Sequence, residues 1–181
     1  MQTFREWLRE KELEELNEKL IGKLQPYESK LINAYLEFLQ NHFNIKKEID
    51  IILKKPDSKS MFGYIDLIAM SSGKYQIIIK YQFGTMLGHI AHEFTHISQY
   101  IRGDLDYTTD RTYIIWKNEP FITIKDLEKS TKDLVKYKEL PWEKEAYKNQ
   151  EILPDKFKKS KYFKELYDNA DPTLIFVLDN L

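Results

Sequence analysis

Residues 92 to 96 read His-Glu-Phe-Thr-His. On a helix, positions i and i+4 lie one turn apart on the same face, so these two imidazoles can converge on one ion. Glu93, beside the first of them, sits where its carboxylate reaches a water on that ion instead of the ion itself. The chemistry this suggests is zinc-dependent hydrolysis of a peptide bond. Zinc lowers the pKa of its water, Glu93 takes the proton as hydroxide attacks the carbonyl, and Glu93 returns it to the leaving amine. The oxyanion is stabilised by the metal, helped by His89 or by a tyrosine. Tyr100, Tyr107, Tyr113 and Tyr147 are the candidates among twelve tyrosines.

With 4 His in 181 residues, chance supplies such a constellation in roughly one chain per hundred, so the flanking residues matter. Projected at about 100° per residue from His92, His96 falls near 40°, His89 near 60° and Glu93 near 100°. Leu87, Ile90, Phe94, Ile97 and Ile101 fall between about 140° and 220°. Gly84, Gly88, Ala91, Thr95 and Ser98 fill a third sector near 240° to 320°, a small-residue face that permits close packing. One face anchors the helix while another offers the histidines. His89 reads as a rim or outer-shell residue, and His42, with no motif around it, as structural.

A catalytic zinc typically takes three protein ligands and keeps a fourth position open. The chain has no cysteine, so the third ligand is a carboxylate or His89. Gln99 and Arg102 stand where a metzincin would carry glycine and a third histidine, which excludes that class. The best candidate segment is Leu140-Pro141-Trp142-Glu143-Lys144-Glu145-Ala146-Tyr147. Pro141 suits a first helical turn, and Glu143 and Glu145 lie about 200° apart, so only one can face the metal. Glu143 groups with Trp142, Ala146, Tyr147 and Gln150, whereas Glu145 groups with Lys144 and Lys148. A carboxylate rarely enters an apolar face unless something there stabilises its charge. Zinc does so. Glu145, Asp104, Asp106 and Glu119 are the alternative ligands.

The pairing of His92-Glu93-Phe94-Thr95-His96 with Glu143-Lys144-Glu145-Ala146-Tyr147 resembles the gluzincin arrangement. It is similar to short phage and bacterial metallopeptidases whose second motif reads Pro-Trp-Glu-x-Glu-Ala-Tyr. The resemblance covers about residues 75 to 150. It implies a zincin-like core of small sheet, active-site helix and ligand helix. Tyr147 stands where gluzincins commonly carry an acidic outer-shell group.

These residues must be positioned by the rest of the chain, which reads as a single α+β domain over residues 1–181. Phe4, Trp7 and Leu8, then Leu13, Leu16, Leu20 and Leu24, recur at helical steps. After Gln25-Pro26, the residues Ile32, Tyr35, Leu36, Leu39 and Phe43 form a second stripe, which predicts an N-terminal helical hairpin over 1–44. Residues 45–83 change period and predict a small, mostly antiparallel sheet. Its strands are Ile49 to Leu53, Phe62 to Met70 and Tyr75 to Gln82, joined as an antiparallel meander by short connections. The last of these strands is the natural edge for an extended substrate, or else a plain core strand.

The active-site helix spans 84–102. A short hairpin follows, from Thr112 to Trp116 and Phe121 to Ile124, joined through Lys117-Asn118-Glu119-Pro120. The helices of 126–181 are Asp126 to Tyr137, one opening at Pro141, Asp155 to Asp168, and a last one capped by Asp171 and begun by Pro172.

A formal charge of −1 argues against a phosphate backbone as main partner, so no nucleic acid is expected. No secretory leader and no run of about 18 apolar residues is present, which points away from a membrane and toward a cytoplasmic protein acting on protein or peptide substrate. Two rival readings remain. One is a catalytically silent, zinc-stabilised binding or structural module, such as a phage or effector component. The other is a metal-free interaction protein built on the helical hairpin.

Overall fold

The computed structural model describes residues 25–46, 49–54, 63–65, 75–80 and 85–181. The first arm of the expected helical hairpin, with Leu13, Leu16 and Leu20, lies outside them. So do Gly84 and most of the expected strand from Phe62 to Met70. Among the described residues the chain is α+β, with seven helices and two three-stranded sheets.

Helix α1 is Pro26–His42. Proline suits its first turn because the missing N–H is one that no helical carbonyl would have accepted. Glu28 Oε2 accepts a hydrogen bond from Gln25 N at 2.8 Å and closes that end. Leu31, Ile32, Tyr35, Phe38 and Leu39 turn inward, at the three- and four-residue steps of an amphipathic helix.

Strands β1 (Ile49–Lys54), β2 (Gly63–Ile65) and β3 (Tyr75–Lys80) form the first sheet in the order β1-β3-β2. β1 runs parallel to β3, with Ile49 opposite Tyr75, and β2 runs antiparallel to it, with Gly63 opposite Ile79. This corrects the meander. The sequence reading paired neighbours in the chain, but spatial order need not follow chain order, and β3 stands between the other two strands. It also corrects the substrate-edge expectation. Both sides of β3 are occupied, and it is a central strand with Ile77 fully buried.

Helix α2, Met86–Ile101, carries the histidine motif. A second sheet follows, β4 (Leu105–Tyr107), β5 (Tyr113–Trp116) and β6 (Glu119–Thr123), antiparallel in that order. The hairpin from β5 to β6 turns on Lys117 and Asn118 alone, both at positive φ (51° and 68°), as a tight two-residue hairpin demands. Pro120, expected in the connection, belongs to β6 beside a register shift at Ile114/Ile115, where a missing N–H does least harm. β4 was not expected; three residues are too few to display a period.

The expected helix from Asp126 to Tyr137 is two short ones, α3 (Ile124–Ser130) and α4 (Leu134–Lys138). Asp133 breaks it, because its side chain accepts from Lys136 N and so starts a new helix. Helix α5 runs from Pro141 to Lys158, through Pro154, and α6 is Lys161–Asp168. The break therefore falls at Ser160, whose hydroxyl caps Phe163 N, and not before Asp155. Helix α7, Pro172–Asp179, begins as expected, with Asp171 accepting from Leu174 N at 3.0 Å.

The main core gathers α1, β3, α2, α5 and α7, with Tyr35, Ile77, Ile90, Phe94, Leu153, Phe157 and Leu174 fully buried. A smaller cluster of Ile114, Leu140 and Trp142 joins the second sheet to the start of α5.

Candidate metal site

Helix α2 packs most extensively against α5, and the small-residue sector does this. A methyl added at Gly88 would lie 3.2 Å from both Cγ and the carbonyl oxygen of Gln150 on α5. Pro154, four residues on, has no N–H to give that carbonyl. Asn149 Nδ2 donates to Thr95 Oγ1 at 3.2 Å, while the Thr95 hydroxyl donates to Ala91 O at 2.7 Å. Leu87, Ile90, Phe94 and Ile97 are buried on the opposite face, as expected. Ile101 is not: it is 39% exposed, because the last residue of α2 extends past the core.

This close approach brings the ligand candidates together. His92 Nε2 and His96 Nε2 lie 3.2 Å apart. Glu143 Oε2 is 3.3 Å from His92 Nε2, and Glu143 Oε1 is 3.4 Å from His96 Nε2. Four donors placed tetrahedrally at zinc–ligand distances of about 2.0–2.2 Å would stand about 3.3–3.6 Å apart, so the observed spacings suit a shared divalent ion. The two imidazoles keep 12% of their side-chain surface exposed and Glu143 keeps 2%.

The charges agree with that reading. Burial raises the Glu143 pKa, but the close approach of the His92 and His96 rings, the His96 charge and the Tyr137 hydroxyl outweigh it and hold the carboxyl down at about 2. Burial likewise lowers His96, yet the hydrogen bond and charge of Glu143, with the Glu93 charge and Gln99, push it up to about 9. Even so, Glu143 Oε2 and His92 Nδ1 are buried without a hydrogen-bond partner. A buried carboxylate oxygen 3.3 Å from an imidazole nitrogen, with no hydrogen bond of its own, is a situation a cation can resolve.

Glu93 is 8% exposed and is not part of the converging trio. Burial raises its pKa, His96 and His92 pull it back, and Glu143 adds to the rise. That is the environment of a carboxylate prepared to accept a proton.

Among the described residues, the group whose ligand atoms lie mutually within 4.8 Å is His92, His96 and Glu143. None of the alternative ligands joins it. Asp104 Oδ2 holds Arg102 at 2.8 Å, Asp106 accepts from Tyr107 N, and Glu119 is exposed on β6. Glu145 lies on the Arg102 side of α5, 3.2 Å from that guanidinium. His89 stands at the rim, half-buried, with its pKa lowered by burial and by His92. Of the four proposed tyrosines, Tyr147 is the one at the site, its ring 4.7 Å from that of His92. Lys138 Nζ lies 4.5 Å over the same ring.

Two residues were missed. Tyr137, on the five-residue helix α4, interacts with Glu143 through its hydroxyl, and burial with the Glu143 charge raises its pKa far above the usual tyrosine range. Nothing local marks it, because only tertiary packing brings α4 over α5. Gln99 is fully buried, and its Oε1 lies 2.9 Å from His96 Nδ1. Its signal was available: it is one turn beyond His96 on the same helix face.

Comparison of the chain with protein-family models, with curated proteins and with solved structures gives no match. The function must be argued from the site itself. Among the described residues, no helix is long and apolar enough to cross a membrane.

Proposed function

We propose that the protein is a zinc-dependent peptidase with a zincin-like, gluzincin-type site, in which His92, His96 and Glu143 hold the metal and Glu93 is the general base. The observation that carries this reading is the meeting of two helices at one point. Three donors suited to zinc converge there within 3.2–3.4 Å, and the adjacent Glu93 is left out of the ligand set.

A zinc ion at that point supplies Lewis acidity, polarising a peptide carbonyl and lowering the pKa of water. The chain's own residues do the rest. Glu93, its proton affinity raised by burial, accepts a proton from the attacking water and delivers it to the amine of the departing peptide. Tyr147, its ring 4.7 Å from that of His92, is the tyrosine candidate for stabilising the oxyanion. The low exposure of the ligand trio shields the three donors from bulk solvent. A near-neutral chain suits a peptide substrate better than nucleic acid.

The test is metal analysis and hydrolysis assays on protein purified without chelators. About one zinc per chain is expected, with cleavage of casein or a peptide library. Glu93→Gln should abolish cleavage and leave the zinc content unchanged. Activity that survives this substitution would falsify the role of Glu93, and full zinc content without any cleavage by the parent protein would favour the silent module.

A further inference from the structure

The two histidines of the site are supported unequally. His92 Nδ1 is buried with no hydrogen-bond partner. His96 Nδ1 lies 2.9 Å from Gln99 Oε1. Gln99 is itself 0% exposed and has no freedom to choose which end it shows to the ring. Its Nε2 lies 3.0 Å from Trp142 O and 3.0 Å from Glu145 Oε2. Both of those are acceptors only. Rotating the amide by half a turn would set its oxygen against a carbonyl and a carboxylate, and its NH₂ against the imidazole, so the observed orientation is the satisfiable one.

We infer that Gln99 is the positioning residue of the metal site: two acceptors on the ligand helix fix its amide, and the amide fixes His96 with its proton on Nδ1. An amide oxygen facing Nδ1 can only accept, so Nδ1 must carry the proton. The neutral ring then has its lone pair on Nε2, which is the atom facing His92 Nε2 and Glu143. A metal-ligating histidine of this kind is oriented by the partner on its other nitrogen. Here the partner is a neutral amide anchored to the backbone of the residue preceding Glu143. The same three hydrogen bonds thus set the tautomer of one ligand and the spacing between the two helices that supply all three.

The anchor continues outward. Glu145, one of the alternative ligands, receives Gln99 Nε2 and also Arg102 Nη2 at 3.2 Å, and Arg102 Nε donates to Asp104 at 2.8 Å. Arg102 Nη1 also donates to Ser98 Oγ at 2.9 Å. Glu145 therefore serves the site by holding Gln99.

This inference rests on the metal-binding part of the proposed function, and the experiment separates the two. Zinc affinity is measured by chelator competition for the parent protein, Gln99→Leu, Gln99→Glu and Glu145→Gln, each checked for an unchanged metal-free melting temperature. Gln99→Leu should bind zinc about 10–100-fold more weakly, the range typical of a lost outer-shell partner. Gln99→Glu keeps an acceptor for His96 Nδ1–H but sets its other oxygen against Trp142 O and Glu145, so it should also bind zinc more weakly than the parent. Glu145→Gln should have the smallest effect, since Trp142 O still holds the amide. If the parent protein does not bind zinc, the metal reading itself fails. If the parent binds and a folded Gln99→Leu binds equally well, the role of Gln99 is overturned.

Should Gln99→Leu fail to fold, nitrogen-15 spectra of the zinc-loaded parent protein decide the matter. They should show a slowly exchanging Nδ1–H on His96 in contact with the Gln99 side chain, and a faster-exchanging one on His92. Equal exchange of both imidazole protons would refute the inference.

Discussion

On one side of α2, Ile90, Phe94 and Ile97 are fully buried among apolar neighbours, with the Phe43 and Phe94 rings stacked 5.6 Å apart. On the other side, less completely shielded, two imidazoles and a carboxylate crowd within 3.2–3.4 Å, and two of their buried atoms lack hydrogen-bond partners. The first arrangement is complete in itself, because dispersion and the hydrophobic effect need no further partner. The second is, on the proposed reading, completed by a cation. A single helix thus keeps its stability and its chemistry on separate faces, and the small-residue face between them brings in the helix that carries the third ligand.

The largest expected effect lies on the dry face. Phe94→Ala should lower stability by about 3–5 kcal/mol, the range for deleting a buried aromatic ring. A chelator titration of the folded variant should nevertheless give the parent's zinc affinity; a parallel loss of zinc binding would mean that the two faces are not independent. On the wet face, Glu143→Ala should weaken zinc binding by more than the roughly 10–100-fold of an outer-shell change. Retention of tight binding there would assign the third ligand elsewhere.

The face between them is probed by Gly88→Val. Its side chain must displace Gln150, which already stands 3.2 Å from where a methyl would be. Overpacking of this kind should reduce stability by about 1–3 kcal/mol, read by denaturant melts, and should weaken zinc binding as α2 and α5 separate. A variant with wild-type stability and wild-type zinc affinity would show that the close approach at Gly88 is not needed.

Per pH unit the effect of pH is the smallest, and its sign differs between the metal-free and zinc-loaded protein. In the metal-free pocket His96 is pushed up to about 9, above the roughly 6.5 of an unfolded chain. Its proton therefore stabilises the metal-free fold fully below about pH 6.5, and this contribution is lost as pH rises through about 9. Zinc must displace that proton, so zinc affinity should instead rise, by about tenfold per pH unit between those limits, and then level off. Competition titrations across that window check it; a flat profile would remove the proton from His96.

The parts of this architecture that the sequence displayed are those with a local cause. The sectors of α2 follow from helical periodicity acting on apolar, small and polar residues, and the burial of Leu87, Ile90, Phe94 and Ile97 agrees with it. Glu143 was legible because a carboxylate among Trp142, Ala146 and Tyr147 needs a reason to be there. Caps such as Asp171 were legible because they bind their own next turn.

What stayed hidden depends on contacts between distant segments. The insertion of β3 between β1 and β2 is a matter of topology, to which alternation within a strand is blind. Tyr137 reaches Glu143 only because α4 folds over α5. Gln99 was read for what it excludes, a third histidine, and its positive role emerges only when Trp142 O and Glu145 are seen to fix its amide. Ile101 has the period of a core residue but stands at the end of the helix, beyond the core.

The shared ion is the centre of the account, and an anomalous difference map at the zinc absorption edge, from crystals grown without chelator, tests it directly. One peak per chain is expected, about 2.0–2.2 Å from His92 Nε2, His96 Nε2 and a Glu143 oxygen. A site without a peak, or a peak completed by Glu145, Asp104, Asp106 or Glu119 in place of Glu143, would contradict it.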